Sequence, residues 1–221
     1  HWPLQYTTER EFYSSSSGNA NTPAGDGNLV RENPADSNTD QYVYDPHDPV
    51  PSQFGRFTHS SDQRPLAGRD DILVYATQPI EQRMEITGIP TVELFASSSA
   101  PDTDWIVRLI DVAPDGLARD VSIGFVRARY RNGLDKPELI TPGEVTKYSI
   151  QMTATSNAFL PGHQIRLDIT SSDFPNYDRN HNTAAFQNAD ATLVTAKQTI
   201  HHGGVFATRL ILPHVPNSRT E

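Results

Sequence analysis

The stretch PGHQIRLDITSSDFPNYDRNHNT, residues 161–183, places a turn, an alternating segment and a long polar loop in direct succession. After Pro161-Gly162, the side chains of Ile165, Leu167 and Ile169 fall on one face of an extended chain. Gln164, Arg166, Asp168 and Thr170 fall on the other. That period of two predicts a half-buried antiparallel strand. Residues 171–180 then set Phe174 and Tyr177 among short hydrogen-bonding side chains, which predicts a loop ordered by side-chain to backbone bonds. Arg179 in that loop is a candidate site residue. The commoner role for such a residue is to tie its loop to the sheet through a carboxylate or carbonyl.

Working outward, residues 71–77, 84–87, 91–98, 104–112, 121–129, 145–153, 163–171, 192–202 and 206–212 all read as strands. Breaks such as Pro114-Asp115-Gly116, Asn132-Gly133 and Pro142-Gly143 separate them. Upstream, residues 11–17 (EFYSSSS) read as a short edge-like strand, Gly25-Asp26-Gly27 as a turn before Leu29-Val30, and residues 41–44 as a brief strand. Residues 48–51 (DPVP) are expected to be extended and polyproline-like. Residues 53–68 show no period, and irregular stretches of that length are usually functional or packed on a neighbour. No repeat and no helical period recurs, which excludes propellers, solenoids and helical bundles. The connections are too long and uneven for an up-and-down barrel. The fold class is therefore all-β, a jelly-roll β-sandwich, with residues 1–221 as one domain.

Composition agrees. Only 36% of the 221 residues are hydrophobic, while 17 prolines and 13 glycines supply turns. A formal net charge of -9 without a basic run argues against nucleic acid. There is no cysteine, so disulfides, thiolate catalysis and zinc-thiolate sites are excluded, and cytoplasmic and secreted locations stay equally open. No apolar run reaches membrane-spanning length, so no membrane partner is expected. The start at His1-Trp2-Pro3 reads as a fragment boundary of a larger chain.

The chemistry-bearing motifs are sparse. No Gly-x-Ser-x-Gly is present, so no serine-hydrolase nucleophile is visible. Ser97-Ser98-Ser99 follows a strand and reads as bonding the turn into Ala100-Pro101. His201 and His202 are adjacent on a strand and point to opposite faces, so they cannot chelate one ion. Asp102 and Asp104 could share a hard cation, although capping of a tight Asp-Thr-Asp turn is the commoner explanation. Glycine-rich phosphate loops are absent. No catalytic residue, metal or cofactor is assigned.

Several longer motifs carry a resemblance. Residues 97–105 (SSSAPDTDW), Asp111-Val112-x-Pro114-Asp115-Gly116, residues 127–131 (RARYR), Thr155-Ser156-Asn157, Gly162-His163-x-Ile165-Arg166-Leu167 and Phe174-Pro175-x-Tyr177-Asp178-Arg179-Asn180 resemble the C-terminal domain of the cocaine-esterase/NonD acyl hydrolases. That domain is related to the X-Pro dipeptidyl-peptidase C-terminal domain. The resemblance continues through Gly25-Asp26-Gly27, Tyr44-Asp45-Pro46-x-x-Pro49-Val50-Pro51 and Leu210-x-Leu212-Pro213, and so covers essentially the whole chain. One departure is Phe54-Gly55, where the family tends to show Gly-Gly.

The resemblance implies a galactose-binding-like jelly roll packed on an α/β-hydrolase domain of the same polypeptide, which holds the Ser-Asp-His triad. In the family, the loop after Pro-Val-Pro lies at the mouth of the active site. Carried over, this makes Phe57 an apolar wall of the substrate pocket, with Arg56 and His59 as polar contacts and Phe54 less securely placed. Asp102, Asp104 and Arg179 become structural loop residues. Three functions follow: an accessory domain of a serine acyl hydrolase, a carbohydrate-binding module using Trp2, Trp105, Tyr177 or Phe57 as a platform, or a homo-oligomerisation module. The first is preferred, and it implies that these residues alone do not turn over acyl esters. An interdomain face should also be open, with Trp2, Leu4 and Tyr6 contributing to it.

Overall fold

The structure, a computed structural model, describes residues 6–53, 61–186, 189 and 191–216. Among these, the strands are β1 (Thr8–Ser15), β2 (Asn28–Val30), β3 (Asn38–Tyr44), β4 (Leu73–Ala76), β5 (Met84–Gly88), β6 (Thr91–Ser98), β7 (Asp104–Val112), β8 (Ala118–Arg127), β9 (Thr146–Gln151), β10 (Thr155–Phe159), β11 (Gln164–Thr170), β12 (Ala196–His202) and β13 (Arg209–Val215). Helix is confined to two short 3-10 turns, Arg64–Leu66 and Ala128–Tyr130. No helix among the described residues is long and apolar enough to cross a membrane.

The hydrogen-bonded path runs β3-β12-β6-β13-β1-β2-β4-β11-β7-β8, with β9 on the other edge of β6 and β10 on β5. All pairings are antiparallel except the short contact of β2 with β4. The path folds over so that β7 and β9 face each other, and Trp105 meets Tyr148 at a ring-centroid distance of 5.8 Å. Inward residues of nearly every strand join one core, among them Phe12, Tyr75, Ile86, Leu94, Leu109, Ile150, Leu167, Ile200 and Leu212. Trp105 is fully buried. It is therefore a core residue and leaves the set of carbohydrate platforms.

Two glycines mark where backbones cross closely. A Cβ on Gly27 would sit 1.9 Å from the carbonyl oxygen of Val74, and one on Gly25 would sit 2.1 Å from that of Asn19. The turn before β2 thus needs glycine because it threads against β4 and the end of β1.

The sequence reading is corrected in three places. The strand within residues 11–17 is not an edge: β1 is hydrogen-bonded on both sides, to β13 and β2. Residues 155–159 form β10, which only the inward Phe159 distinguishes from loop. Most consequentially, β11 is buried on both faces. Ile165, Leu167 and Ile169 enter the main core, while Arg166, Asp168 and Thr170 are covered as well. The cover is the long connection after β3, whose Val50, Leu66 and Ile72 make a second small core with Val74 of β4.

Candidate functional site

The covered outer face of β4, β11, β7 and β8 is where the singled-out polar residues converge. Strand alternation sends Asp104 and Arg108 of β7 and Arg166 and Asp168 of β11 to this side, opposite Trp105, Leu109 and Leu167. Burying four ionised groups here requires pairing. Arg166 grips Asp168 through Nε and Nη2 at 2.6 and 2.7 Å. Arg108 reaches out of the sheet to Asp173 at 2.7 Å, with side chains 3% and 1% exposed.

Asp102 and Asp104 meet the Arg127-Ala128-Arg129 segment across the β7–β8 pair, where Asp104 stands opposite Arg127. Arg127 donates Nε and Nη2 to the two oxygens of Asp104 at 2.8 and 2.9 Å. Arg129 donates its backbone N–H and Nε to Asp102 at 2.9 and 2.7 Å. Asn180 bridges the pair, donating Nδ2 to Asp102 at 3.0 Å and to Asp104 at 2.8 Å. Burial pushes the Asp104 carboxyl up, against the pull of Arg127 and Asn180. The two aspartates are therefore neither a cation site nor simple turn caps, because guanidinium groups occupy the positions a cation would take. Among the described residues no group of three or more His, Asp or Glu is arranged to hold a metal.

The same network orders the loop of residues 171–183. Arg129 Nη2 also donates to the carbonyls of Thr183 and Ala185 at 3.0 and 2.9 Å. From β3, Tyr42 bonds Ser171 at 2.8 Å and Tyr44 donates to the Asn180 carbonyl at 3.1 Å. Burial raises both phenols, which therefore stay protonated. Arg179 donates Nη1 to the Pro46 carbonyl at 2.9 Å and lies over the Phe174 ring at 5.2 Å. These contacts join the loop to the connection after β3. Tyr177 stacks on Phe125 of β8 with centroids 4.7 Å apart.

Phe54, Arg56, Phe57 and His59 lie outside the described residues, as do Trp2 and Leu4; Tyr6 is 62% exposed. Both roots of residues 54–60 are nevertheless fixed. At the leading root, Phe174 N–H donates to Val50 at 2.9 Å, Ser52 N–H donates to Phe174 at 2.7 Å, and Val50 N–H donates to Ser172 Oγ at 2.9 Å. At the trailing root, Asp120 N–H donates to the Ser61 carbonyl at 3.0 Å and Gln63 N–H to Ala118 at 2.8 Å. Gln63 Nε2 also donates to the Asp120 carboxylate at 2.7 Å. The two loops singled out from the sequence are thus stitched together.

Asp120 was missed by the sequence reading, since a lone aspartate at a strand start looks like a solvated turn residue. Here burial, with Asp168 and Asp173 nearby, outweighs Arg108 and Gln63 and pushes its carboxyl up to about 7. The Asp102–Arg129 pairing did leave a signal: two carboxylates two apart and two arginines two apart, on strands able to pair. The histidines behave as alternation required. His202 is buried against Asp40 at 2.9 Å, while His201 contacts Ser97 at 3.1 Å on the other side. Ser98 Oγ accepts from the Ala100 N–H at 3.1 Å, the turn role expected for that serine run.

Comparison with known proteins places this geometry. The family model of the X-Pro dipeptidyl-peptidase C-terminal non-catalytic domain matches residues 1–211. The chain is 43% identical over 220 residues to the cocaine esterase of Rhodococcus sp. (strain MB1 Bresler), covering 96% of this chain and 38% of the esterase. An aminopeptidase from the marine sediment archaeon Thaumarchaeota archaeon is similar with a TM-score of 0.86 and 31% identity, over 98% of this chain and 38% of that one. An α-amino acid ester hydrolase is similar with a TM-score of 0.80 and 28% identity, over 94% and 36%. The chain therefore spans well under half the length of these relatives.

Proposed function

The chain belongs to the family of X-Pro dipeptidyl-peptidase C-terminal non-catalytic domains, and from that premise we propose that it buttresses the catalytic domain of a serine acyl hydrolase and closes one side of its substrate pocket. Non-catalytic C-terminal domains of this kind occur in CocE/NonD-type hydrolases. The catalytic partner in this reading is an α/β-hydrolase domain of the same polypeptide, acting on esters or amides of small acyl groups.

The observation that supports it best is the pair of fixed roots under residues 54–60. A segment meant to wall a neighbour's pocket needs a rigid base, since a displacement of about 1 Å at a reacting group can cost about a hundredfold in rate. The base is supplied by the Val50–Phe174 and Ser61–Asp120 hydrogen bonds and the buried ion pairs beneath them. On this reading Phe57 is the apolar wall, and Arg56 and His59 are its polar neighbours.

The test is Phe57→Ala in the longer polypeptide, assayed against a panel of acyl esters. Preference among esters should change by about 1–3 kcal/mol in relative kcat/KM, with the melting temperature held. An unchanged profile, or a large loss of stability with the profile intact, would place Phe57 in this domain's own packing and remove it from the pocket.

A further inference from the structure

A second feature lies away from these loops, at the end of the sandwich where β1 begins. The inner face of the sheets continues there into an open cleft of about 740 Å³ between β1, β2, β13 and the segment leading into β5. Register puts Thr8 opposite His214 and Arg10 opposite Leu212. Arg10 therefore sits on the face that Phe12 and Leu212 devote to the core. Phe12, Leu29, Ile80 and Met84 supply an apolar floor.

The cleft is cationic, although the chain as a whole is acidic. Arg10, Arg31 and Arg83 line it beside the imidazole of His214, which is neutral near pH 7, and Glu81 is the one acidic side chain among the described lining residues. Arg83 is paired with Glu85 at 2.9 Å. Arg31 donates to the Glu11 carbonyl and lies over the Phe12 ring at 4.8 Å, and the Glu11 carboxylate, whose charge reaches Arg31, is itself engaged by Arg209 at 3.2 Å. The Arg10 side chain makes no hydrogen bond or ion pair among the described residues. Their crowding is felt: burial and then the charge of Arg10 lower both Arg31 and His214. Like charges gathered over an apolar floor cost free energy unless an anion meets them.

We propose that this cleft is the socket into which an acidic protrusion of the catalytic domain docks, an Asp or Glu carboxylate held by Arg10 and Arg31 with flanking apolar side chains on the floor. This rests on the accessory-domain reading and specifies the chemistry of its partner surface. The catalytic domain is the occupant because the floor asks for apolar groups attached to the anion. The cleft also opens beside β1, where Tyr6 already lies exposed at the head of the domain.

The experiment is arginine labelling with phenylglyoxal, read by peptide mass spectrometry, on the longer polypeptide, with exposed Arg64 as the internal reference. Arg10 and Arg31 should lose labelling relative to Arg64, undiminished by dilution. Arg10→Glu, which removes a side chain without a partner among the described residues, should restore labelling of Arg31. Labelling of Arg10 and Arg31 at the rate of Arg64 overturns the socket. Protection that fades on dilution also overturns it, in favour of a second copy as occupant. A parallel ester assay separates the two readings: an active enzyme with an unprotected cleft refutes the socket alone, whereas a longer polypeptide without hydrolase activity refutes the accessory-domain reading.

Discussion

Replacing Asp120 by Asn should make the protein more stable at mildly alkaline pH and leave it nearly unchanged in mild acid. The folded-state carboxyl is pushed up to about 7 from the ordinary aspartate value of 3.8. Between those values the folded protein holds a proton that the unfolded chain has released. The unfolded state then binds fewer protons, so stability falls as pH climbs through this window and levels off above about 7. Roughly three pH units at about 1.4 kcal/mol each set a ceiling near 4 kcal/mol. Relaxation and a realistic interior dielectric reduce this to about 2 kcal/mol. Asn keeps the oxygen that accepts from Gln63 Nε2 but carries no charge to bury. For a domain of this size, melting should rise by about 4–8 °C at pH ~8 and by little at pH ~4. Calorimetry at the two pH values measures this directly. A melting difference that is equal at both, or larger in acid, would refute the idea that Asp120 is a buried acid opposed by Asp168 and Asp173.

Two further substitutions probe the frame. Gly27→Ala drives a methyl into the Val74 carbonyl and should cost about 1–3 kcal/mol in denaturant unfolding; a neutral result would mean that the β2–β4 crossing relaxes freely. Arg129→Ala leaves the buried Asp102 carboxylate without its guanidinium partner, held only by Asn180 and the residue-129 N–H, and frees the Thr183 and Ala185 carbonyls, so it should cost about 3–5 kcal/mol and increase hydrogen exchange in residues 180–185. Exchange confined to residues 102–104 and 127–131 would show that the loop is held by the β3 tyrosines instead.

The fold was legible because strand alternation is a local property. Ile165, Leu167 and Ile169 declare a strand wherever they occur, and the turn glycines and prolines mark the breaks. What covers the other face was not legible, since it depends on a connection that comes about a hundred residues earlier. Nothing near Arg166 announces that Val50, Leu66 and Ile72 will pack on Val74 of the neighbouring β4. Strand β10 escaped because Thr155-Ser156-Asn157-Ala158 lacks an apolar alternation, its place being set by pairing with β5. The candidate site divides the same way. That Arg179 lies in an ordered polar loop could be read locally, whereas the grip of Arg127 and Arg129 on Asp104 and Asp102 needed the β7–β8 register. Asp120 gave no local sign, because its raised pKa comes from burial and from carboxylates on two other elements.

The central claim is that these residues are the non-catalytic part of a hydrolase. It is tested most directly by assaying p-nitrophenyl acyl ester hydrolysis with the 221-residue chain and with the longer polypeptide that contains it. Turnover by the longer polypeptide alone, abolished by mutating a Gly-x-Ser-x-Gly serine upstream of His1, is the predicted result. Turnover by the 221-residue chain that disappears when one of its own serines is mutated would contradict it.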